Sequence, residues 1–300
     1  MQTAERLEQY ERITGREAED FLARAVKLVQ ENAKKAALMA ADNLMERFQE
    51  KEGSFRPGVN WEQRTITVLS LTVLLNMPLL FWASEVTGDP KYREKATAHI
   101  LTAMNCVIRP DHSTYHTYFF DPETGEPVKG VTHQGNRDGS AWSRGQAWGI
   151  YGSALSYHFL KDPAYIDIFR KVTDYFVTHL PSDLIPYWDF DFDDGSTEPR
   201  DSSSAAIAAC GMLEMAKYLE PEEAEKYTAL AEKLIKALCD HCAVKDHSES
   251  NGLLLHGTYA RASKGNPCTN RGVDECNTWG DYFFMEALTR LTADWKVYWY

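Results

Sequence analysis

Residues 139–152 read GSAWSRGQAWGIYG and open a helical pattern. Arg144 and Trp148 stand four residues apart, so they share one face of that helix. An arginine fork matches a carboxylate bidentately. An indole covers the apolar face of a sugar or unsaturated ring. With Trp142 beside them, these residues describe a site for an acidic sugar. They describe a buried Arg–Asp pair among core tryptophans equally well, and the segment alone does not separate the two. Gly145, Ala147 and Gly149 leave room for a closely packed neighbour.

The loop before this helix, STYHTYFFDPETGEPVKGVTHQGNRDGS, carries His116, His133, Gln134, Asn136, Arg137 and Asp138. Such polar density at a helix start suits anion binding, and Asp138 or Ser140 is a candidate helix cap. A second dense stretch, IPYWDFDFDDGSTEPRDSSSAA, alternates acids with aromatics. It lacks the calcium-loop order of acids, central glycine and distal glutamate. Trp188 and Asp189 are expected at the rim of the site. Arg200 is expected to be structural, and Asp201, ahead of three serines, an N-cap. Of six cysteines only Cys239 and Cys242 form a CxxC, around His241. No second pair accompanies them, so two semi-buried thiols at a helix end are expected, with no metal and no cofactor.

Positioning these residues falls to helices. Helical periodicity runs through about residues 17–49, 64–87, 90–107, 143–160, 163–180, 202–218, 222–241 and 279–292, divided by proline and glycine clusters. Short β-like runs, STYHTYFF, PVKGVTHQ and NGLLLHGTY, fall in the longer connections and predict small hairpins on a rim. A weak repeat joins FWASEVTGDPKYREKATAHILTAM, LSYHFLKDPAYIDIFRKVTDYFVTHL and MAKYLEPEEAEKYTALAEKLIKAL. Each has an apolar helix, a proline corner and an amphipathic helix. An inner and an outer ring of helices follow, an all-α toroid, with inner helices near 64–80, 143–160, 202–218 and 279–292.

A chain of 300 residues, 44% hydrophobic, makes one large domain or two modest ones with a sizeable core. Its net charge of −12 argues against nucleic acid as a partner. No apolar run reaches membrane-spanning length, and the charged first twenty residues lack a signal-peptide centre. A cytoplasmic location is the expectation.

WSRGQAWGIYG, YWDFD…EPRDSSSAA, RGVDECNTWGDYFFMEAL and LLNMPLLFWASEVTGDP resemble the signature segments of glycoside hydrolase family 88, the unsaturated glucuronyl hydrolases. The resemblance runs from about residue 36 onward. It implies an (α/α)6 barrel that removes a 4,5-unsaturated uronic acid from the non-reducing end of lyase-generated oligosaccharides. In the implied mechanism an aspartic acid protonates the vinyl-ether double bond, water adds, and the hemiketal collapses. His116, Gln134, Trp142, Arg144 and Trp148 match the family's pocket residues, with Arg144 toward the ligand carboxylate and the two tryptophans as walls.

Two departures accompany the matches. Thr72, in TVLSLTVLLNMPLL, stands where the family has its catalytic aspartate. A hydroxyl does not protonate carbon near neutral pH, and His116 is the nearest substitute acid by its ordinary pKa. The family's early helices, with a His-Asp pair, have no counterpart in the divergent first 35 residues, where no histidine precedes His99. The expected object is one domain over 1–300, shortened at its N-terminus and impaired at its acid. Either residues 1–35 or a second subunit, in a homodimer, is expected to cover the apolar surface so exposed. The alternative is a non-catalytic acidic-sugar-binding relative, or a scaffold engineered from the family.

Overall fold

The computed structural model describes residues 15–56, 67–246, 248 and 250–294. Residues 1–14 and 57–66, and with them parts of the expected N-terminal segment and of the 64–87 helix, lie outside the described residues. The chain separates into two units, Met1–Glu46 and Arg47–Tyr300. The first holds α1 (Gly15–Met45).

In the second unit the elements run in chain order: β1 (Phe48–Gln49), β2 (Ser54–Phe55), β3 (Thr67–Ser70), a 3-10 helix (Leu71–Asn76), α2 (Met77–Thr87), α3 (Lys91–Val107), β4 (Thr117–Phe120), β5 (Pro127–Val131), α4 (Ser143–Leu160), α5 (Ala164–Thr178), α6 (Ser202–Ala216), α7 (Pro221–His241) and α8 (Thr278–Thr292). The architecture is mostly helical, in the α/α-barrel manner that the sequence predicts.

Burial sorts the helices into two layers. α4 is buried from Ser143 through Ser156, and α6 over nearly its whole length. α5 and α7 bury one stripe each, Tyr165–Phe169–Val172–Phe176 and Tyr227–Ala231–Leu234–Leu238, the spacing of a helix with one apolar face. α4 packs on α5 and α6, and α6 on α7 and α8. Small residues set how closely the inner helices approach. A Cβ at Gly211 of α6 would lie 2.8 Å from the backbone of Tyr151 in α4. This is why the inner sequences are rich in glycine, alanine and serine.

The expected helix over 64–87 is corrected by the structure. Thr67–Ser70 pairs antiparallel with β4, from Thr67 opposite Phe120 to Ser70 opposite Thr117, and the α-helix begins only at Met77, with Pro78 in its first turn. Short apolar runs carry no period that distinguishes strand from helix, and the β-branched Thr67 and Val68 suit a pleated edge. The hairpin of β4 and β5 forms as predicted. NGLLLHGTY instead makes isolated bridges, Ala243 to Leu254 and Gly257 to Glu275, and Ala260 just after it bridges to Arg271. Among the described residues no helix is long and apolar enough to cross a membrane.

Candidate functional site

The site is built on the N-terminal end of α4. Segment 187–190 is laced to it by Trp188 O accepting from Ser143 N (3.1 Å) and Phe190 N donating to Ala141 O (2.9 Å). The bridge between Trp142 and Asp189 lies between them. The Asp189 carboxylate then gathers the polar loop. It accepts from Asn136 N (2.7 Å), Ser140 Oγ (2.7 Å) and Asp191 N (3.0 Å). Burial raises Asp189 to about 6, against the pull of these donors.

Three expectations are corrected here. Trp188 and Asp189 are not rim residues, since both are fully buried. The Trp188 indole donates to Glu198 Oε2 (3.0 Å) instead of facing a ligand. The bridge from Asp189 to Trp142 ties this segment's backbone to the entrance of α4. Neither Asp138 nor Ser140 caps α4: Asp138 accepts from Thr132 N, and Ser140 serves Asp189. Asp201 occupies the N-cap position of α6 but makes no side-chain cap there, because its carboxylate is spent on Arg144.

That pair is the centre of the cluster. The Arg144 guanidinium is buried. Nη1 donates to Asp201 Oδ2 and to Thr258 O (2.6 Å), and Nη2 to Tyr259 O (2.7 Å). Asp201 also accepts from Ser203 Oγ and Thr258 N. The cation lies over the rings of Trp142 (4.5 Å) and Trp279 (5.3 Å), contacts that an electron-rich indole face rewards. Burial lowers the Arg144 pKa and Asp201 pulls it up, and the guanidinium stays charged. A Cβ at Gly145 would lie 2.8 Å from the Trp142 ring, so glycine there admits the indole. The buried Arg–Asp pair is thus the outcome at this segment. Three of the five N–H donors of Arg144 are engaged, and the Nε–H and one Nη2–H have no partner among the described residues.

His116 stands against Trp142, ring to ring at 4.4 Å. Its Nδ1 accepts from His133 N (3.2 Å) and Gln134 N (3.0 Å), which places the ring proton on Nε2. Burial, helped by His133 and Arg144, lowers its pKa to about 3. At neutral pH it is a hydrogen-bond donor and not an imidazolium, and the expectation of a substitute acid is corrected on that ground. Gln134 donates to Tyr259 O (2.5 Å), tying the loop to the segment that holds Arg144. Trp148 is buried edge-to-face against Phe283, and its indole N–H has no partner among the described residues.

Thr72 is the second residue of the 3-10 helix and is exposed. Ser70 opposes Thr117 in the sheet, so the start of that 3-10 helix lies beside the strand entered from His116. Sequence reasoning missed Trp279, whose indole donates to Ser203 Oγ (3.2 Å) and whose ring meets Tyr259 at 5.5 Å. The tryptophan in CNTWGDY is the signal that could have found it. Cys239 and Cys242 are free, and no metal-holding cluster of His, Cys, Asp or Glu occurs among the described residues.

Comparison with known proteins gives one consistent result. Residues 20–293 match Glycosyl Hydrolase Family 88. An unsaturated chondroitin disaccharide hydrolase of Streptococcus pyogenes serotype M1 is 48% identical over 269 residues, 89% of this chain and 66% of the relative. The chain therefore spans just under two thirds of that relative's length. An unsaturated glucuronyl hydrolase of Bacillus sp. strain GL1 is 40% identical over 90% of this chain and 71% of its own. The crystal structure of the Streptococcus agalactiae unsaturated glucuronyl hydrolase superposes with a TM-score of 0.81 at 45% identity, over 89% of this chain and 66% of that one.

Proposed function

Because the chain belongs to glycosyl hydrolase family 88, we propose that it recognises oligosaccharides ending in an unsaturated uronic acid, chondroitin-derived disaccharides first among them, and that it hydrolyses them weakly or not at all. In this reading the ligand carboxylate meets the two remaining N–H donors of Arg144. Trp142, Trp148 and Gln134 line the ring, and the Nε2–H of His116 donates to it. Trp188 has no direct part. The substrate class is supported by the names of the relatives with 48% and 40% identity.

The observation that carries the impaired chemistry is the pairing of Thr72 with a neutral His116. Vinyl-ether hydration requires a proton delivered to carbon and a base for water. A group serves both tasks only with a pKa near the working pH. The threonine hydroxyl lies far above that range, and His116, at about 3, lies far below it. Asp189, at about 6, has a suitable pKa, but it is fully buried beneath the loop it holds. Positioning alone leaves a residual rate.

A second reading, a scaffold without a sugar site, is favoured by one observation, the engagement of Arg144 by Asp201 and two carbonyls. Titration of tryptophan fluorescence with an unsaturated chondroitin disaccharide separates the two. Sugar recognition predicts saturable quenching that weakens about tenfold or more in Trp142→Ala. No saturation in the millimolar range selects the scaffold. The reading also includes a cytoplasmic location and a homodimer. The dimer is supported by the exposed Tyr282 and Met285 on α8, and sedimentation tests it.

A further inference from the structure

Residues 261–270 leave the segment that holds Arg144 and return to it. The excursion is closed at its base by the bridge between Ala260 and Arg271 and by Tyr259 N donating to Gly272 O (2.7 Å). Just before that base, the Thr258 and Tyr259 carbonyls accept from Arg144. The excursion itself contains neither helix nor strand, so side chains must hold its shape. Asn266 carries most of this task. Its Oδ1 accepts from Ser263 N (3.3 Å) and Cys268 N (3.0 Å), and its Nδ2 donates to Arg261 O (2.9 Å). Asn270 Oδ1 adds one more bond, accepting from Ala262 N (2.8 Å).

This strap lies along the polar loop before α4 and takes its carbonyls. Cys268 Sγ donates to His133 O (2.9 Å), Asn266 Nδ2 to Gly135 O (2.7 Å) and Ser263 Oγ to Asn136 O (2.5 Å). Burial pushes the Cys268 thiol up, so it stays protonated and remains a donor. The contact is close: a Cβ at Gly265 would lie 2.6 Å from Asn136 O. All three bonds depend on Asn266. It makes one of them itself, and its Oδ1 seats the backbone of the residues that make the other two.

The same three peptide units donate on their other side. Gln134 N donates to His116 Nδ1 (3.0 Å), Asn136 N to Asp189 Oδ2 (2.7 Å) and Arg137 N to Ser140 Oγ (3.0 Å). In a trans peptide the C=O and the following N–H point in opposite directions and turn as one plane. A bond to the carbonyl therefore aims the amide. Peptide 133–134 is held between Cys268 and His116, peptide 135–136 between Asn266 and Asp189, and peptide 136–137 between Ser263 and Ser140. The strap thus governs from outside which way the loop's amides face inside.

We propose that the 261–270 strap selects the tautomer of His116, with Asn266 as its positioning residue. An amide N–H held against Nδ1 excludes a proton there and leaves it on Nε2, the atom that offers a hydrogen bond to the ligand. The benefit to sugar binding rests on the reading of the uronate site above, and the tautomer does not. Histidine side-chain 15N–1H spectra of the full chain read the tautomer, with the His116 resonances assigned through His116→Gln. The unaltered chain is expected to show the Nε2–H form alone. In Asn266→Ala the Nδ1–H form is expected to appear, and the Kd for an unsaturated chondroitin disaccharide to rise about tenfold, with unchanged circular dichroism. Asn266→Asp keeps the acceptor that seats Ser263 and Cys268 and loses the donors, and is expected to give the same changes in smaller degree. An unshifted His116 spectrum in both variants would overturn the proposal, as would weakened sugar binding with no change of tautomer. A tautomer change in a chain that binds no disaccharide would uphold the role of the strap and refute the uronate reading instead.

Discussion

Replacing Asp201 by asparagine keeps the shape of the side chain and removes its charge. In the folded protein Asp201 is fully buried and accepts from Arg144 Nη1, Ser203 Oγ and Thr258 N. The asparagine has one acceptor oxygen for three donors, and its amide turns an N–H toward a guanidinium or a neighbouring donor. Arg144, itself 3% exposed, is left as a buried cation held only by two carbonyls. Removing one partner of such a pair costs about 3–5 kcal/mol. With about 2–4 °C of melting temperature per kcal/mol for a unit of this size, the transition should fall by about 6–20 °C. Thermal unfolding followed by far-ultraviolet circular dichroism measures it. A loss below about 1 kcal/mol in Asp201→Asn would put the pair in the class of solvated ion pairs and refute the reasoning.

Acid stability should follow the buried titratable groups. His99 and His116 are both held near 3 by burial, from an ordinary 6.5, so the unfolded chain takes up two protons below pH 6.5 that the folded chain refuses. Asp189, raised to about 6 from 3.8, opposes them by holding one native proton between pH 6 and 4. The balance is one proton, and stability present above pH 6.5 should be lost at about 1.4 kcal/mol per unit as pH falls from 6 to 4. Denaturant midpoints measured across that range check this, and a flat profile contradicts it. Gly211→Ala should destabilise by about 1–3 kcal/mol through its clash with the Tyr151 backbone, and an unchanged urea midpoint would contradict the close approach of α4 and α6.

The helices that carry the site were legible because their periods are long and their ends are punctuated. The small-residue α4 and α6 read as inner helices, and the proline corners before α3, α5 and α7 gave the outer ones. TVLSLTVLL was not legible, since its β-branched apolar run has no period, and only pairing with β4 makes its first four residues a strand before the 3-10 turn. At the site, the residue types were visible and their commitments were not. Whether Arg144 faces a ligand or an acid depends on where Asp201, fifty-seven residues away, comes to rest. Trp188 and Asp189 looked like rim residues because alternating aromatics and acids are usually solvated, but both are buried where their segment bridges to Trp142. The ordinary pKa of histidine misled for His116, because nothing in its sequence neighbours announces that the ring is buried beside Trp142 and near Arg144.

The central claim is that this chain keeps a site for an unsaturated uronic acid and lacks the proton donor to act on it. The most direct measurement follows the ultraviolet absorbance of an unsaturated chondroitin disaccharide in the presence of the chain and of its Thr72→Asp variant. The account predicts absorbance that persists with the unaltered chain and is lost at least about a hundredfold faster with Thr72→Asp, the lower end of what a positioned acid–base group contributes. Turnover by the unaltered chain at ordinary enzyme rates, about 1 s⁻¹ or faster, would contradict it and show that another carboxylate delivers the proton.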